Sequence, residues 1–316
     1  MRTTVLGFIA LIAVTVAFVI GCGGGVASDV SVDYKPSSLE PVVGPDGQDG
    51  PDGPGKVASG ATGTLRGRIV FDGNRITLAP IVTTDKIKEG EREVCKADLI
   101  PNETLVLEKG GNGIANVFVY LAKAPKGVVL PEVDSTTVPF DNKNCRFEPH
   151  AVFVRNGQPL NITNSDIIAH NTHTYPLRNR GISEVLKFAP ETDKERGLTV
   201  VYSKSEKLPF RVKCDFHSWM DAWQLTLDHP FAAVTKADGS FEIKDLPVGK
   251  HTFIIWQERA GYLERKYPVT IQEGDNNDQE DIPFGSAKFA HFDGPEPKTI
   301  LISSTRSPEN KISGGE

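Results

Sequence analysis

Along the middle of the chain, apolar residues recur in short alternating runs rather than at a helical spacing. "TLRGRIVFDG" (Thr64–Gly73), "IANVFVYLA" (Ile114–Ala122), "HAVFVRNGQPLNITN" (His150–Asn164), "LTVVYS" (Leu198–Ser203), "FRVKC" (Phe210–Cys214) and "WQLTL" (Trp223–Leu227) are β-branched or alternating. Gly, Pro, Asn and Asp punctuate them. This pattern predicts strands. "TTDKIKEGEREVC" (Thr83–Cys95) predicts at most a helical turn or two, because Gly90 opposes anything longer. After Pro230, "AVTKADGSFEIKDLPVGKHTFIIWQE" (Ala233–Glu258) holds an Asp238-Gly239 turn between two strands. A turn at Pro247 and Gly249 then leads into a third strand, where Thr252, Ile254 and Trp256 alternate. The expected class is all-β.

The two ends read differently. Arg2 precedes an uncharged apolar run, Val5–Ile20, which predicts an export signal. The run is short for a spanning helix, with an uncleaved anchor as the alternative. Val19-Ile20-Gly21-Cys22 resembles a bacterial lipobox, which implies cleavage before Cys22 and a lipid on its sulfur. That expectation places the bulk of the chain outside the cytoplasm, tied to the cell envelope at the periplasm or cell surface, with the membrane as a partner through the lipid. Residues 23–62, with "GPDGQDGPDGPG", hold too little apolar surface to offset their ordering entropy and read as a tether. Residues 291–316 read as a similar tail. The length between them suits two modest domains, and the resemblances given below imply the divisions 63–143, a set of N-terminal strands that the last sandwich could share, then a domain over 144–229 and a smaller sandwich over 230–290.

A formal charge of −6, with Lys and Arg scattered, gives no basic stripe and so no nucleic-acid partner. Of four cysteines, Cys22 is assigned to the lipid and Cys214 to the motif below, which leaves Cys95 and Cys145 as a pair in an oxidising compartment. Two free buried thiols are the alternative.

The chemistry concentrates in "VKCDFHSWMDAW" (Val212–Trp223), where Cys214, His217 and Met220 are spaced Cys-x2-His-x2-Met. Upstream, "FEPHAVFVRNGQPLNITNSDIIAHNTH" (Phe147–His173) turns at Asn156-Gly157 and delivers His170 to one end of a sandwich, where two ligand-bearing loops can converge. A thiolate, two imidazoles and a weak thioether suit copper, since soft sulfur favours Cu(I) and nitrogen holds Cu(II). Zinc would favour a closed four-ligand set without a thioether. The chain has two methionines, and Met220 is the one beyond Met1. His173 is a rival to His170, although the His-Asn step favours the latter. His150 shares a strand face with Val152 and Val154 and reads as a packed core histidine.

The pattern from Phe147 to Asn171, F-x-P-x-x-V-x-V-x-x-G-x-x-L-x-I-x-N-x-D-x-x-x-H-N, followed by C-x2-H-x2-M, closely resembles a type 1 copper cupredoxin of the plastocyanin, amicyanin and pseudoazurin kind. The resemblance implies a Greek-key β-sandwich with one copper ion. His170, Cys214 and His217 would be its equatorial ligands, Met220 the axial one, and Asn171 a hydrogen-bonding brace between the loops. Ser218, where amicyanin-like loops often have Pro, and the aromatic Trp219 and Trp223 depart from the pattern. The stretch after Pro230 is similar to a carboxypeptidase regulatory-like β-sandwich, which implies a second small sandwich without catalytic residues. "GTLRGRIVFDG" and "IANVFVYL" are candidates for its opening strands, with the copper-like module inserted between.

Three classes of function compete. The leading expectation is electron transfer to a redox partner protein, with Phe216 and Trp219 as a docking rim beside His217. A copper enzyme would require further histidine-rich centres, and seven histidines with no His-x-His pair leave too little for one, so no enzyme is expected. A structural, storage or delivery module for copper is the remaining alternative.

Overall fold

The computed structural model describes residues 60–190, 193, 197–276 and 281–290, with the backbone of 300–301. The export signal, Cys22, nearly all of the tether and most of the tail expected from the sequence lie outside the described residues. Among the described residues no helix is long and apolar enough to cross a membrane.

The chain is all-β. Its first strands are β1 (Thr62–Asp72), β2 (Ile76–Thr77) and β3 (Phe118–Leu121). Between β2 and β3 the chain forms single 3-10 turns, at Thr84–Lys86, Glu89–Glu91 and Ala97–Leu99, and isolated bridges that join Leu107 to Ile114 and Gly113 to Val70. Next come β4 (Val138–Lys143), β5 (Arg146–Glu148), β6 (Ala151–Arg155), β7 (Pro159–Asn164), β8 (His170–Thr174), β9 (Ser183–Leu186), β10 (Leu198–Val201), β11 (Phe210–Lys213) and β12 (Asp221–Leu227). The last group is β13 (Ala232–Val234), β14 (Ser240–Pro247), β15 (Gly249–Gln257), β16 (Gly261–Ile271), β17 (Gly274–Asn276), β18 (Ile282–Gly285) and β19 (Ile300–Leu301), the last paired with β2.

The middle group forms two sheets, ordered β10-β7-β4-β5 and β6-β12-β11-β8-β9. The outer groups combine into two more: β13-β3-β15-β16, and β14-β1-β17 with β18 also paired to β1. Strands before the middle unit therefore pair with strands after it. β1 runs antiparallel to β14, and β3 lies between β13 and β15. The middle sandwich begins at Val138, ahead of Asn144, because β4 joins β7 in parallel.

Strand alternation sorts the side chains into three apolar layers. Val152 and Val154 of β6 join Phe140, Leu160, Ile162 and Val212 inside the middle sandwich. From the opposite face, Ala151 and Phe153 join Leu225, Leu227, Phe118, Tyr120 and Trp256 in a layer between the middle sandwich and the β3 sheet. Val119 and Leu121 of β3 then point the other way, onto Leu65, Ile69, Phe241, Phe253 and Ile255. Strands β3 and β6 are covered on both faces, which is why "FVYL" and "AVFV" read as continuous apolar runs rather than alternating ones. The segment ahead of β3 also contributes. Val82, Ile87, Cys95 and Ile100 pack into the layer that holds Cys214 and Met220.

Candidate metal centre

β11 and β12 form an antiparallel hairpin with Lys213 opposite Asp221, so residues 214–220 are its loop. The Cys214 N–H donates to the Met220 carbonyl (3.1 Å), and the Met220 N–H donates to the His217 carbonyl (2.9 Å). These bonds wind the loop tightly and turn residues spaced three apart toward one side. On its other edge β11 pairs with β8, with His173 opposite Lys213. His170, the first residue of β8, thereby lies beside the loop.

The two histidines present the same ring atom to each other. His170 Nδ1 and His217 Nδ1 are 3.0 Å apart. Cys214 Sγ lies 3.9 Å from the first and 3.6 Å from the second. One donor atom from each of the three residues falls within 4.8 Å of the others, and all three residues are buried. Met220 is also buried, in the same apolar layer as Cys214.

Each imidazole turns its remaining nitrogen toward a carboxylate. His170 Nε2 lies 2.9 Å from Asp166 Oδ2, and His217 Nε2 lies 3.3 Å from Glu91 Oε2. Such partners fix the ring orientation and raise the basicity of the inward nitrogen. Asp166 is itself held by the Asn144 and Cys145 N–H groups, each at 2.8 Å. Burial works to raise its pKa, but the bond from His170 and those two amides bring it below the ordinary carboxylate range. For His170, burial disfavours the cation, yet the bonds to Asp166 and to the Cys214 sulfur carry its pKa above the usual value. The Cys214 thiol would be raised by burial. Instead the two imidazoles, with the backbone amides of Asn171 and Phe216, bring it down to about 6. A thiol so poised is largely thiolate at neutral pH, the form that ligates metal. Three buried donors of this kind, with the outer nitrogen of each imidazole already facing a carboxylate, fit a metal ion.

The surrounding residues hold the two loops together. Asn171 accepts from the Asp215 N–H (2.6 Å) and donates to the Asp215 carboxylate (2.7 Å) and to Ser183 Oγ (3.2 Å). His173 faces away from the cluster, with Nδ1 against Asp215 and the Tyr175 hydroxyl. Cys95 and Cys145 form a disulfide. Phe216 is 44% exposed. Trp219 instead lies inward, its indole N–H donating to the Cys145 carbonyl (3.2 Å) and its ring 5.1 Å from that of His217. His217 itself is only 1% exposed, so Phe216 and Trp219 do not frame an open imidazole edge.

Two residues of the site were not singled out from the sequence. Asp166 sits inside the "NSDIIAHN" motif, an acid four residues before His170, and was legible there as a motif position. Glu91 comes from "KEGERE", a charged run that reads as solvent-facing, and its distance from His217 along the chain offers no local signal.

Fold and site together define an all-β protein with a buried thiol and two imidazoles gathered at the end of a sandwich. No known protein-family profile matches the chain, and no curated protein does. Among solved structures it is similar to the copper-containing nitrite reductase of Thermus scotoductus SA-01, at 12% identity and a TM-score of 0.26, over 33% of this chain and 25% of that one. It is also similar to the reduced Cu(I) form of an amicyanin mutant, at 16% identity and a TM-score of 0.25, over 30% of this chain and 87% of that one. A purple cupredoxin from Nitrosopumilus maritimus matches at 15% identity and a TM-score of 0.23, over 28% of this chain and 99% of that one. The chain thus spans a quarter of the nitrite reductase and nearly all of the two smaller proteins.

Proposed function

We propose that this protein is a copper-binding electron carrier of the cell envelope, in which His170, Cys214 and His217, with the Met220 thioether as a weaker fourth donor, would hold one ion. The observation that carries the reading is the convergence of Cys214 Sγ with the Nδ1 atoms of both histidines, from two distant segments, in a buried site. Copper would supply one-electron cycling between Cu(I) and Cu(II), which a set of soft sulfur and borderline nitrogen donors accommodates. The protein's part is to keep the donors in one arrangement. The tight 214–220 loop, the Asn171 bonds and the carboxylates behind both imidazoles support that role. A carrier must retain its metal, and the burial of His170, Cys214 and His217 favours retention over delivery. The lipid on Cys22, an extracytoplasmic location and a protein redox partner complete the proposal, as does a carrier rather than a catalytic role.

The test is to add Cu(II) to the chain from Gly23 onward and record its visible spectrum. An intense thiolate-to-copper absorption that bleaches on reduction and returns in full on reoxidation, in the presence of a chelator, is expected. A colourless wild type, or a Cys214→Ala variant that keeps the colour, would overturn the reading. Colour that is lost to the chelator within a cycle would instead favour storage or delivery.

A further inference from the structure

The segment between β2 and β3 has no strand of its own, only single 3-10 turns and isolated bridges, yet it covers the candidate centre. Glu91 closes one of these turns. Its Oε2 reaches His217 Nε2 (3.3 Å), while Oε1 faces Lys88 Nζ (3.4 Å). The Glu91 carbonyl accepts the N–H groups of Val94 (3.0 Å) and Cys95 (2.8 Å), which ties the carboxylate's position to that of Cys95. Cys95 is covalently joined to Cys145. The Cys145 N–H in turn donates to Asp166, the partner of His170. The two halves of the cystine therefore each support the carboxylate behind one imidazole, and the Cys145 carbonyl also takes the Trp219 indole that lies against His217. With His217 at 1% exposure and Glu91 still partly exposed, the carboxylate is the outermost group on that side of the ring.

We infer that Glu91 is a positioning residue for His217, and that the Cys95–Cys145 disulfide clamps the Glu91 turn over the centre as a lid. This inference rests on the metal-binding reading for its consequence, slow metal exchange, but the lid itself is a property of the metal-free chain. A carboxylate held behind a ligand histidine selects the tautomer that presents Nδ1 inward. A lid anchored covalently at one end, and otherwise by the buried side chains of Ile87 and Ile100, loosens when the covalent anchor is removed.

The experiment uses the metal-free and copper-loaded full chain, as wild type, Glu91→Ala, Glu91→Gln and the double variant Cys95→Ser with Cys145→Ser. In the metal-free protein, His217 is followed by diethyl pyrocarbonate modification with peptide mapping, and its tautomer by nitrogen NMR. In the loaded protein, the rate of copper loss to a Cu(I) chelator is measured. His217 should be protected in wild type and modified about tenfold or more faster in Glu91→Ala and in the double variant, and copper loss should accelerate by a similar factor in both. Glu91→Gln should retain protection while mixing the tautomers, a change that a merely steric cover would not produce. If the double variant does not fold, Glu91→Ala carries the test alone. Unchanged protection of His217 in Glu91→Ala, or a tautomer in Glu91→Gln identical to that of wild type, would overturn the inference. A wild type that takes up no copper yet shows the expected protection pattern would sink the copper reading and leave the lid standing.

Discussion

At the scale of single residues, the centre is decided by which nitrogen each histidine turns inward. Asp166 and Glu91 settle that by occupying the other nitrogen of His170 and His217. The same arrangement acts on the thiol. Burial alone would raise the Cys214 pKa, and it is the imidazoles of His170 and His217 and the backbone amides of Asn171 and Phe216 that bring it down to about 6. In metal-free protein, ultraviolet titration of the thiolate should therefore show a midpoint near pH 6, with the thiolate present above it and the thiol below. In His170→Ala the midpoint should move toward the ordinary thiol range of about 8.5, because the strongest of those partners is gone. An unchanged midpoint would show that His170 does not touch the sulfur in solution. The sequence made Cys214, His217 and His170 legible because ligand types at short, fixed spacing are a local signal. Glu91 was not legible, because a charged residue in a polar turn looks the same whether it faces water or an imidazole buried by folding.

At the scale of elements, the strands readable in the sequence were those with β-branched or alternating runs, whether covered on one face or, like β3 and β6, on both, together with the hairpin turns that carry glycine. The turn between β13 and β14 shows why. Gly239 has φ +81°, and a Cβ there would come within 2.3 Å of the Ile69 carbonyl and 2.8 Å of Gly113 Cα. Both conditions demand glycine, and the Asp-Gly pair announces them. Gly239→Ala should cost about 1–3 kcal/mol, read as a lower midpoint in urea unfolding, because it meets both positive-φ strain and backbone contact. A loss below a few tenths of that size would mean that the turn relaxes freely. β4 was harder to see. "VPFDNK" carries Pro139, Asp141 and Asn142, which read as loop residues. Its partner along one edge is the parallel strand β7, a pairing that leaves no hairpin signal, and Asn142 is buried because its side chain donates to the Thr163 carbonyl (2.8 Å). The family resemblance starts at Asn144, whereas β4 ahead of it already pairs with β7 from Val138 onward.

At the scale of the whole molecule, the sandwiches meet through Phe118, Tyr120, Leu225 and Trp256 and through one polar cluster. His150, just ahead of β6, turns Nε2 to Glu258, which follows β15. Glu258 also accepts the Trp223 indole N–H (2.8 Å), and Glu103 lies 3.6 Å from His150 Nδ1. Reading His150 as a packed core residue was sound as far as a strand pattern goes, but the charges around it come from elements that pattern cannot connect. Burial disfavours the cation at His150, and Glu258, Glu103 and Asp221 overcome it, so its pKa is raised. The sign follows. The protonated imidazole binds its carboxylates more tightly folded than unfolded, so this stability is fully present below about pH 6.5, the unfolded value. It is lost as pH rises through the higher folded value. The wild type should therefore unfold at a higher temperature than His150→Gln in mildly acidic buffer, with the gap closing as pH rises through the folded value. A gap independent of pH would show that His150 contributes packing alone.

The interleaved pairing of outer strands also imposes an order on assembly. β3 and β13 lie side by side, with the Leu121 N–H on the Phe231 carbonyl at 3.1 Å, although the whole middle unit from β4 to β12 intervenes between them. The strand partners of β1 and β3 all come from beyond β12, and closing so long a loop is slow unless its two ends are first brought together. Completion of the middle sandwich does that bringing together, which makes the unit that gathers Cys214 and both histidines the template on which the outer sheets pair.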